Sequence, residues 1–153
     1  MTQDESRTTF PQFPESYWLA STTDIPNFPK LSEDIQVDVA IVGAGITGIT
    51  TAYLLSKKGL NVAVVDTGRI LHGTTGHTTA KITAQHDLIY SESLSHFGKE
   101  KTRLYYEANH NALQFIKQTV EEFNINCQFT EEDAYVYTCA DTYVEKISAE
   151  YKA

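Results

Sequence analysis

Two short apolar runs with a helical pattern between them dominate the hydrophobic pattern of the chain. Residues 37–42 read VDVAIV and residues 61–66 read NVAVVD, and both are rich in β-branched side chains. Runs of this length and composition predict strands that are buried on both faces of a parallel sheet. Between them, apolar residues recur at helical spacing over residues 46–58, and Gly59 follows as a helix C-terminal residue. The order strand, helix, strand predicts a βαβ unit with a right-handed crossover.

The middle of the chain combines a polar loop with a second helical pattern. Residues 67–83 read TGRILHGTTGHTTAKIT, which is polar and rich in glycine and threonine, and therefore predicts a loop. After Gly98, residues 99–123 carry apolar side chains at helical spacing. This second pattern predicts one long amphipathic helix.

The N-terminal segment has neither helical nor strand periodicity. Residues 1–35 contain prolines and scattered aromatic side chains, including the stretch SYWLAS. We expect an extended arm, which Tyr17 and Trp18 pack onto the rest of the protein. A disordered leader is an equal alternative.

The C-terminal segment predicts further short elements. CQF and AYVYTCA predict two strands around the turn TEEDA. A helix is expected over residues 141–153, capped by Asp141 or Thr142. The predicted boundaries divide the chain into an arm, a central domain and the start of another domain, at 1–35, 36–125 and 126–153.

Composition and charge narrow the class of protein. The net charge is −8, from 12 Lys and Arg against 20 Asp and Glu, which argues against nucleic acid as a partner. The N-terminus lacks the features of an export signal, and the apolar runs are too short to insert into a membrane, so we expect a cytoplasmic protein. Cys127 and Cys139 are expected to stay reduced, with a disulfide or a zinc pair as the lesser alternative. Motifs of hydrolases and kinases are missing from the sequence.

The stretch GAGITG carries the clearest chemical signal. Gly43, Gly45 and Gly48 follow a predicted strand and open a predicted helix, the context in which GxGxxG binds the pyrophosphate of a dinucleotide at a helix N-terminus. Asp66 ends the second strand, where a carboxylate accepts hydrogen bonds from the ribose hydroxyls of ADP and repels a 2′-phosphate. We therefore expect a bound ADP moiety and disfavour NADP. The fingerprint alone leaves FAD and NAD open.

Two motifs together resemble the FAD-dependent oxidoreductases of the D-amino-acid oxidase, glycine oxidase and sarcosine oxidase type. They are VDVAIVGAGITGITTAYLLSKKGLNVAVVD and GTTGHTTAKIT, and the resemblance extends more loosely through HFGKEKTRLYYEANHNALQFI. The chain looks especially like the bacterial branch whose longer members carry a C-terminal Rieske iron–sulfur domain. The resemblance implies FAD as the cofactor and carries its binding over to Gly43, Gly45, Gly48, Asp66, Thr74 and Thr75. The predicted cofactor-binding set also includes Ile46, Thr47 and His77.

The resemblance also implies a fold and a reaction. The expected fold class is α/β, with an incomplete Rossmann-like FAD-binding βαβ unit, a long helix and the start of an α+β substrate domain. The complete protein is expected to remove a hydride from a carbon next to an amine in a small amine or amino-acid-like substrate. Electrons would pass to oxygen or to an iron–sulfur partner, whose cluster ligands would lie beyond residue 153. The oligomeric state is left open.

Two residues of the polar loop are candidates for positions near the flavin. In dimethylglycine dehydrogenase and its relatives, a histidine in a similar setting is joined covalently to the flavin, and GTTGH places His77 in register. A histidine that hydrogen-bonds the backbone or the cofactor is the favoured alternative. Lys81 would favour an anionic reduced flavin, although a solvated lysine is the simpler interpretation.

Other functions stay open at this point. Family members more often have Glu where Asp66 stands, which shortens the reach to the ribose. The 153 residues alone are expected to be inactive and marginally stable, because one side of the sheet lacks strands. An NAD-binding dehydrogenase domain and a truncated, non-catalytic Rossmann-like fragment are the alternatives.

Overall fold

The computed structural model describes residues 15–22 and 24–153, and these form two compact units with the boundary between Ala80 and Lys81. The predicted boundaries at 35/36 and 125/126 stay predictions. The elements in chain order are α1 (Tyr17–Ser21), β1 (Val39–Val42), α2 (Ile46–Ser56), β2 (Val62–Val65), α3 (Tyr90–Glu122) and α4 (Val144–Lys152). The fold is therefore mixed α/β, with a small parallel sheet and one long helix.

A parallel two-stranded sheet joined by α2 organises the first unit. Val39 pairs with Val62 and Val42 pairs with Val65, and the ladder continues through the Gly43 N–H, which donates to the Val65 carbonyl at 2.8 Å. Gly59, at φ +82°, follows α2 and turns the chain back towards β2. The strand, helix and strand predicted from the hydrophobic pattern are confirmed, each a few residues shorter than its pattern.

The strands are less buried than their composition predicts. In β1 the burial alternates, with Val39 and Ile41 half-buried and Ala40 and Val42 exposed. The side chain of Val42 is 87% exposed. The prediction of strands buried on both faces is wrong for β1, where only the face of Val39 and Ile41, against α2, is half-buried, whereas all four residues of β2 are half-buried.

A short helix replaces part of the predicted extended arm. In α1, the Ser16 hydroxyl accepts a hydrogen bond from the Trp18 N–H at 3.3 Å, which caps the helix. Five residues are too few to show the apolar periodicity of a helix, so the sequence pattern missed this element. Residues 1–14 and 23 lie outside the described residues, so for them the extended arm stays a prediction.

The long helix α3 dominates the second unit. Gly98, at φ +76° and ψ 169°, interrupts it, so the helical segment over residues 99–122 agrees with prediction and the segment over residues 90–97 was missed. The hydroxyl groups of Ser93 and Thr102 are 2.8 Å apart across this interruption, and Thr102 is buried. Tyr90 packs against Tyr105 and Tyr106.

The segment before α4 is irregular. Residues 126–140 form no strands, so the prediction of strands at CQF and AYVYTCA is wrong. Lys117 holds this segment through an ion pair with Glu131 at 2.6 Å. A 3₁₀ turn at Asp141–Tyr143 leads into α4, without the predicted capping by Asp141 or Thr142.

None of the helices in the described part of the chain is long and apolar enough to cross a bilayer.

Candidate nucleotide-binding site

The glycine loop between β1 and α2 has the backbone geometry that its three glycines allow. Gly43 has φ +101°, a conformation that residues with a Cβ rarely adopt. A Cβ added to Gly48 would lie 1.9 Å from the Gly43 carbonyl oxygen, so α2 and the loop approach each other too closely for any other residue. The two glycines therefore fix the N-terminus of α2 against the end of β1.

Asp66 joins the end of β2 to the glycine loop. Its carboxylate accepts hydrogen bonds from the Ala44 N–H at 2.7 Å and from the Gly68 N–H at 2.8 Å. These backbone donors, Ala44 first, hold the pKa of Asp66 below its ordinary value. Each carboxylate oxygen keeps a second lone pair, so the group retains capacity for the hydroxyls of a ribose. Asp66 is therefore an anion that positions the glycine loop as well as a candidate ribose ligand.

Thr75 reaches the N-terminus of α2 from the polar loop. Its hydroxyl oxygen accepts a hydrogen bond from the Ile46 N–H at 2.9 Å, one of the N–H groups that a helix cannot satisfy internally. Gly45 precedes the helix and supplies no side-chain cap, and a Cβ added to it would lie 3.1 Å from the Thr75 oxygen. The polar loop and the glycine loop, 29 residues apart in sequence, therefore meet at the start of α2.

Backbone contacts hold the polar loop, one of them with the glycine loop. Leu71, at φ +63°, donates its N–H to the Ala44 carbonyl at 2.9 Å. Residues Thr74–His77 then form one 3₁₀ turn. Within it Gly76 is buried, and a Cβ added there would lie 2.7 Å from the Leu71 carbonyl oxygen, too close for a larger residue.

His77 closes this turn. Its Nδ1 lies 2.9 Å from the Gly73 carbonyl oxygen, which only accepts, so Nδ1 donates in this contact. The imidazole is exposed. A histidine that hydrogen-bonds the backbone is the arrangement favoured by the sequence, and this contact is present.

The remaining predicted site residues of the first unit, Ile46, Thr47 and Thr74, have exposed side chains. Ile46 and Thr47 begin α2, and the Thr47 carbonyl accepts from the Thr51 hydroxyl at 2.8 Å. Thr74 begins the 3₁₀ turn and is exposed. Lys81 is the first residue of the second unit and is exposed, and its proximity to a flavin stays a prediction.

The donor set fits a diphosphate and a ribose. Thr47 and Gly48 lie in the first turn of α2, where N–H groups have no partner inside the helix and the helix dipole is positive. The Thr75 hydroxyl lies beside them, and the Asp66 carboxylate is bonded to the same loop. Within residues 15–22 and 24–153, no three His, Cys, Asp or Glu side chains come together to hold a metal ion.

Sequence reasoning missed Ala44 as a contributor to this site, and it missed the partner of Trp18. Ala44, 1% exposed, supplies both the N–H bound by Asp66 and the carbonyl bound by Leu71. Its position between two glycines was the available signal, because only a small side chain fits there. Trp18 donates its indole N–H to the Thr78 carbonyl at 2.7 Å, so it packs the N-terminal segment onto the polar loop. Packing by Trp18 was expected, whereas its partner was not.

Comparisons with known proteins place these features in a family. Residues 38–153 match the family model described as DAO, FAD dependent oxidoreductase. The putative Rieske 2Fe-2S iron–sulfur protein YhfW of Bacillus subtilis is 54% identical over 140 residues, which cover 92% of this chain and 27% of that protein. The gamma-glutamylputrescine oxidoreductase of Escherichia coli is 25% identical over 114 residues, 74% of this chain and 27% of that enzyme.

The chain thus spans about a quarter of the length of these curated relatives. A shorter match, 54% identity over 39 residues, relates 26% of the chain to 16% of the thiamine thiazole synthase of Thermotoga maritima. No solved structure gave a significant match. The resemblance to FAD-dependent oxidoreductases stated from the two sequence motifs is confirmed.

Proposed function

The chain belongs to the family of FAD dependent oxidoreductases, and from this premise we propose that residues 38–80 hold the ADP half of FAD. The observation that carries the proposal is the meeting of Thr75 and Asp66 at the glycine loop. A hydroxyl, a carboxylate and a helix N-terminus within one loop supply donors for a pyrophosphate and acceptors for a ribose. The family match favours FAD over the NAD alternative left open by the fingerprint.

Each polar group has a distinct role in the proposed site. Because the Thr75 oxygen accepts from Ile46, its own proton is free to be donated to a phosphate oxygen. Asp66 uses one lone pair of each oxygen on the backbone, and the others accept the ribose hydroxyls. The first-turn N–H groups at Thr47 and Gly48 face the remaining phosphate oxygens. In this arrangement the donors to the diphosphate from residues 38–80 are backbone N–H groups and one hydroxyl.

His77 is proposed to lie towards the flavin half of the cofactor. The Gly73 carbonyl accepts from Nδ1, so Nε2 is the ring nitrogen left to contact the cofactor or substrate. This assignment follows the favoured alternative, in which His77 hydrogen-bonds the backbone or the cofactor without a covalent link.

The complete protein is proposed to oxidise an amine or an amino-acid-like compound. When bound, FAD accepts a hydride at the flavin ring. The similarity to a gamma-glutamylputrescine oxidoreductase supports an amine as the donor, at 25% identity. The name of the Bacillus subtilis relative supports an iron–sulfur centre as one electron acceptor, with oxygen as the other candidate. The start of an α+β substrate domain at residues 126–153 and a cytoplasmic location belong to the same proposal.

Flavin retention is the experiment that tests the site. The purified chain is incubated with FAD, freed of unbound ligand and examined by its visible absorbance spectrum. We expect retained flavin, and we expect Thr75→Val to weaken FAD binding about tenfold or more, since hydrogen bonds to charged groups are worth about 1.5–3 kcal/mol. Thr79→Val, an exposed threonine of the same loop, is the matched control and should bind as the parent does.

The outcomes separate the alternatives. Absence of retained flavin in a folded chain would refute the proposed site and favour the non-catalytic fragment. Equal binding by Thr75→Val would remove the role assigned to that hydroxyl. Acid precipitation of the loaded protein should give a colourless pellet, whereas a yellow pellet would show that His77 or another residue is joined to the flavin.

A further inference from the structure

The short helix α1 packs directly on the polar loop that carries Thr75. The Trp18 indole N–H donates to the Thr78 carbonyl at 2.7 Å. Beside this bond, the Leu19 side chain lies so close to Gly76 that a Cβ added there would be 2.8 Å from its Cδ2 atom. One directional hydrogen bond and one apolar contact therefore join α1 to residues 76–78.

The same loop segment continues directly to the glycine loop. Gly76 is preceded by Thr75, whose hydroxyl accepts the Ile46 N–H. A continuous set of contacts thus runs from Trp18 and Leu19, through residues 75–78, to the start of α2. Every member of this set belongs to the first unit.

Neither α1 nor the loop segment is strongly stabilised by its own hydrogen bonds. A helix of five residues is too short to be stable alone in water, so α1 depends on its contact with the loop. The loop segment is a single 3₁₀ turn, a geometry with poor hydrogen bonds that is found in short pieces. Each of the two therefore limits the conformations of the other.

We propose that α1 is a positioning element for the cofactor site, in which Trp18 and Leu19 hold residues 75–78 so that the Thr75 hydroxyl stays on the Ile46 N–H. This inference rests on the proposed function, because the position of Thr75 matters to the extent that it binds a phosphate. Neither Trp18 nor Leu19 is assigned any contact with the cofactor. Because coupling is reciprocal, a nucleotide that orders Thr75 also orders α1.

Leu19 allows a matched set of variants. Leu19→Ala removes the contact with Gly76, Leu19→Met restores its volume, and Leu31→Ala makes the same truncation at a leucine that is 62% exposed. ADP, which carries no flavin, is the probe, and its affinity is measured by equilibrium dialysis against the 153-residue chain. We expect Leu19→Ala to weaken ADP binding about three- to tenfold. Leu19→Met and Leu31→Ala should bind ADP within about twofold of the parent affinity, because neither removes the contact between α1 and the loop.

Trp18 supplies a spectroscopic readout because it is the chain's single tryptophan. Saturating ADP is expected to reduce acrylamide quenching of its fluorescence in the parent chain, and to do so less in Leu19→Ala. Trp18→Phe, which keeps an aromatic ring and loses the N–H donor, should weaken ADP binding about two- to tenfold. Amide hydrogen exchange over residues 74–78 should be faster in Leu19→Ala and in Trp18→Phe than in Leu31→Ala.

The outcomes distinguish this inference from the proposed function. If the parent binds ADP and Leu19→Ala binds it equally well, the positioning role is wrong, whatever happens to the exchange rates. If the parent binds no ADP, the proposed function fails for this chain, and hydrogen exchange alone decides whether α1 holds the loop. Unchanged exchange in Leu19→Ala would then overturn the inference, and faster exchange confined to residues 74–78 would support it.

Discussion

Asp66 shows how one side chain serves the fold and the proposed site together. In a dinucleotide-binding βαβ unit, a carboxylate at the end of the second strand ordinarily hydrogen-bonds the ribose. Here it also accepts two backbone N–H groups, from Ala44 and Gly68, and so ties the glycine loop to the end of β2. The short side chain of Asp66 keeps the carboxylate close to the backbone of both loops.

The hydrogen bonds to Asp66 make the stability of the folded chain depend on pH in the acid range. Because the pKa of Asp66 is lower in the folded chain than its ordinary value, its stabilising effect is complete above that ordinary value, near 4. The effect is lost as the pH falls through the lower folded pKa. We expect Asp66→Asn to be less stable than the parent at pH 7 and to lose less stability between about pH 5 and 3.

Urea unfolding at a series of pH values checks this prediction. Asp133→Asn, a change to an exposed carboxylate in the irregular segment, is the control and should keep the acid dependence of the parent. Parallel curves for the parent and Asp66→Asn would show that the backbone hydrogen bonds of Asp66 do not stabilise the folded state.

At the scale of whole elements, α3 begins at a carboxylate from α4. Ile89 precedes α3 without a capping side chain. The Tyr90 N–H and the Ser91 N–H donate instead to the two carboxylate oxygens of Glu150, at 2.9 and 2.7 Å. A helix N-terminus carries a partial positive charge, so this anion satisfies two free donors and opposes the helix dipole.

Removing the charge of Glu150 should therefore weaken the second unit. We expect Glu150→Gln to lower the free energy of unfolding by about 1 kcal/mol, the typical value of a helix cap. Glu132→Gln, in the irregular segment before α4, is the matched control and should change stability little. Urea unfolding followed by far-UV circular dichroism measures both, and equal midpoints for the two variants would contradict the capping role.

For the molecule as a whole, features set by local sequence were predictable, whereas contacts between distant residues were not. The βαβ unit was predictable because strand composition, helical periodicity and the three glycines are local signals that agree with one another. The contact of Thr75 with Ile46 spans 29 residues, and no local pattern contains its geometry. AYVYTCA failed as a strand because strand propensity needs a paired neighbour, and residues 126–140 have none in the described structure.

The low burial of the molecule leads to a last prediction about ligand and stability. Ala44 is the single buried apolar side chain in the described residues, and large apolar side chains such as Val42 are exposed. A first unit with so small a core should be marginally stable, and a nucleotide that binds the folded state stabilises it by mass action. At ADP concentrations of about 100 times its Kd, the free energy of unfolding should rise by about 2.7 kcal/mol. Thermal unfolding followed by the fluorescence of Trp18 measures this in the first unit.

AMP is the control ligand, because it keeps the ribose and lacks the second phosphate that the helix N-terminus and Thr75 are proposed to bind. At the same concentration it should raise the transition temperature less than ADP does. Equal shifts with the two nucleotides would show that the second phosphate adds no binding energy, which would contradict a diphosphate held by the helix N-terminus and Thr75. A chain that retains ADP in dialysis yet shows no shift would bind the nucleotide equally well when unfolded, which contradicts a site built by the fold.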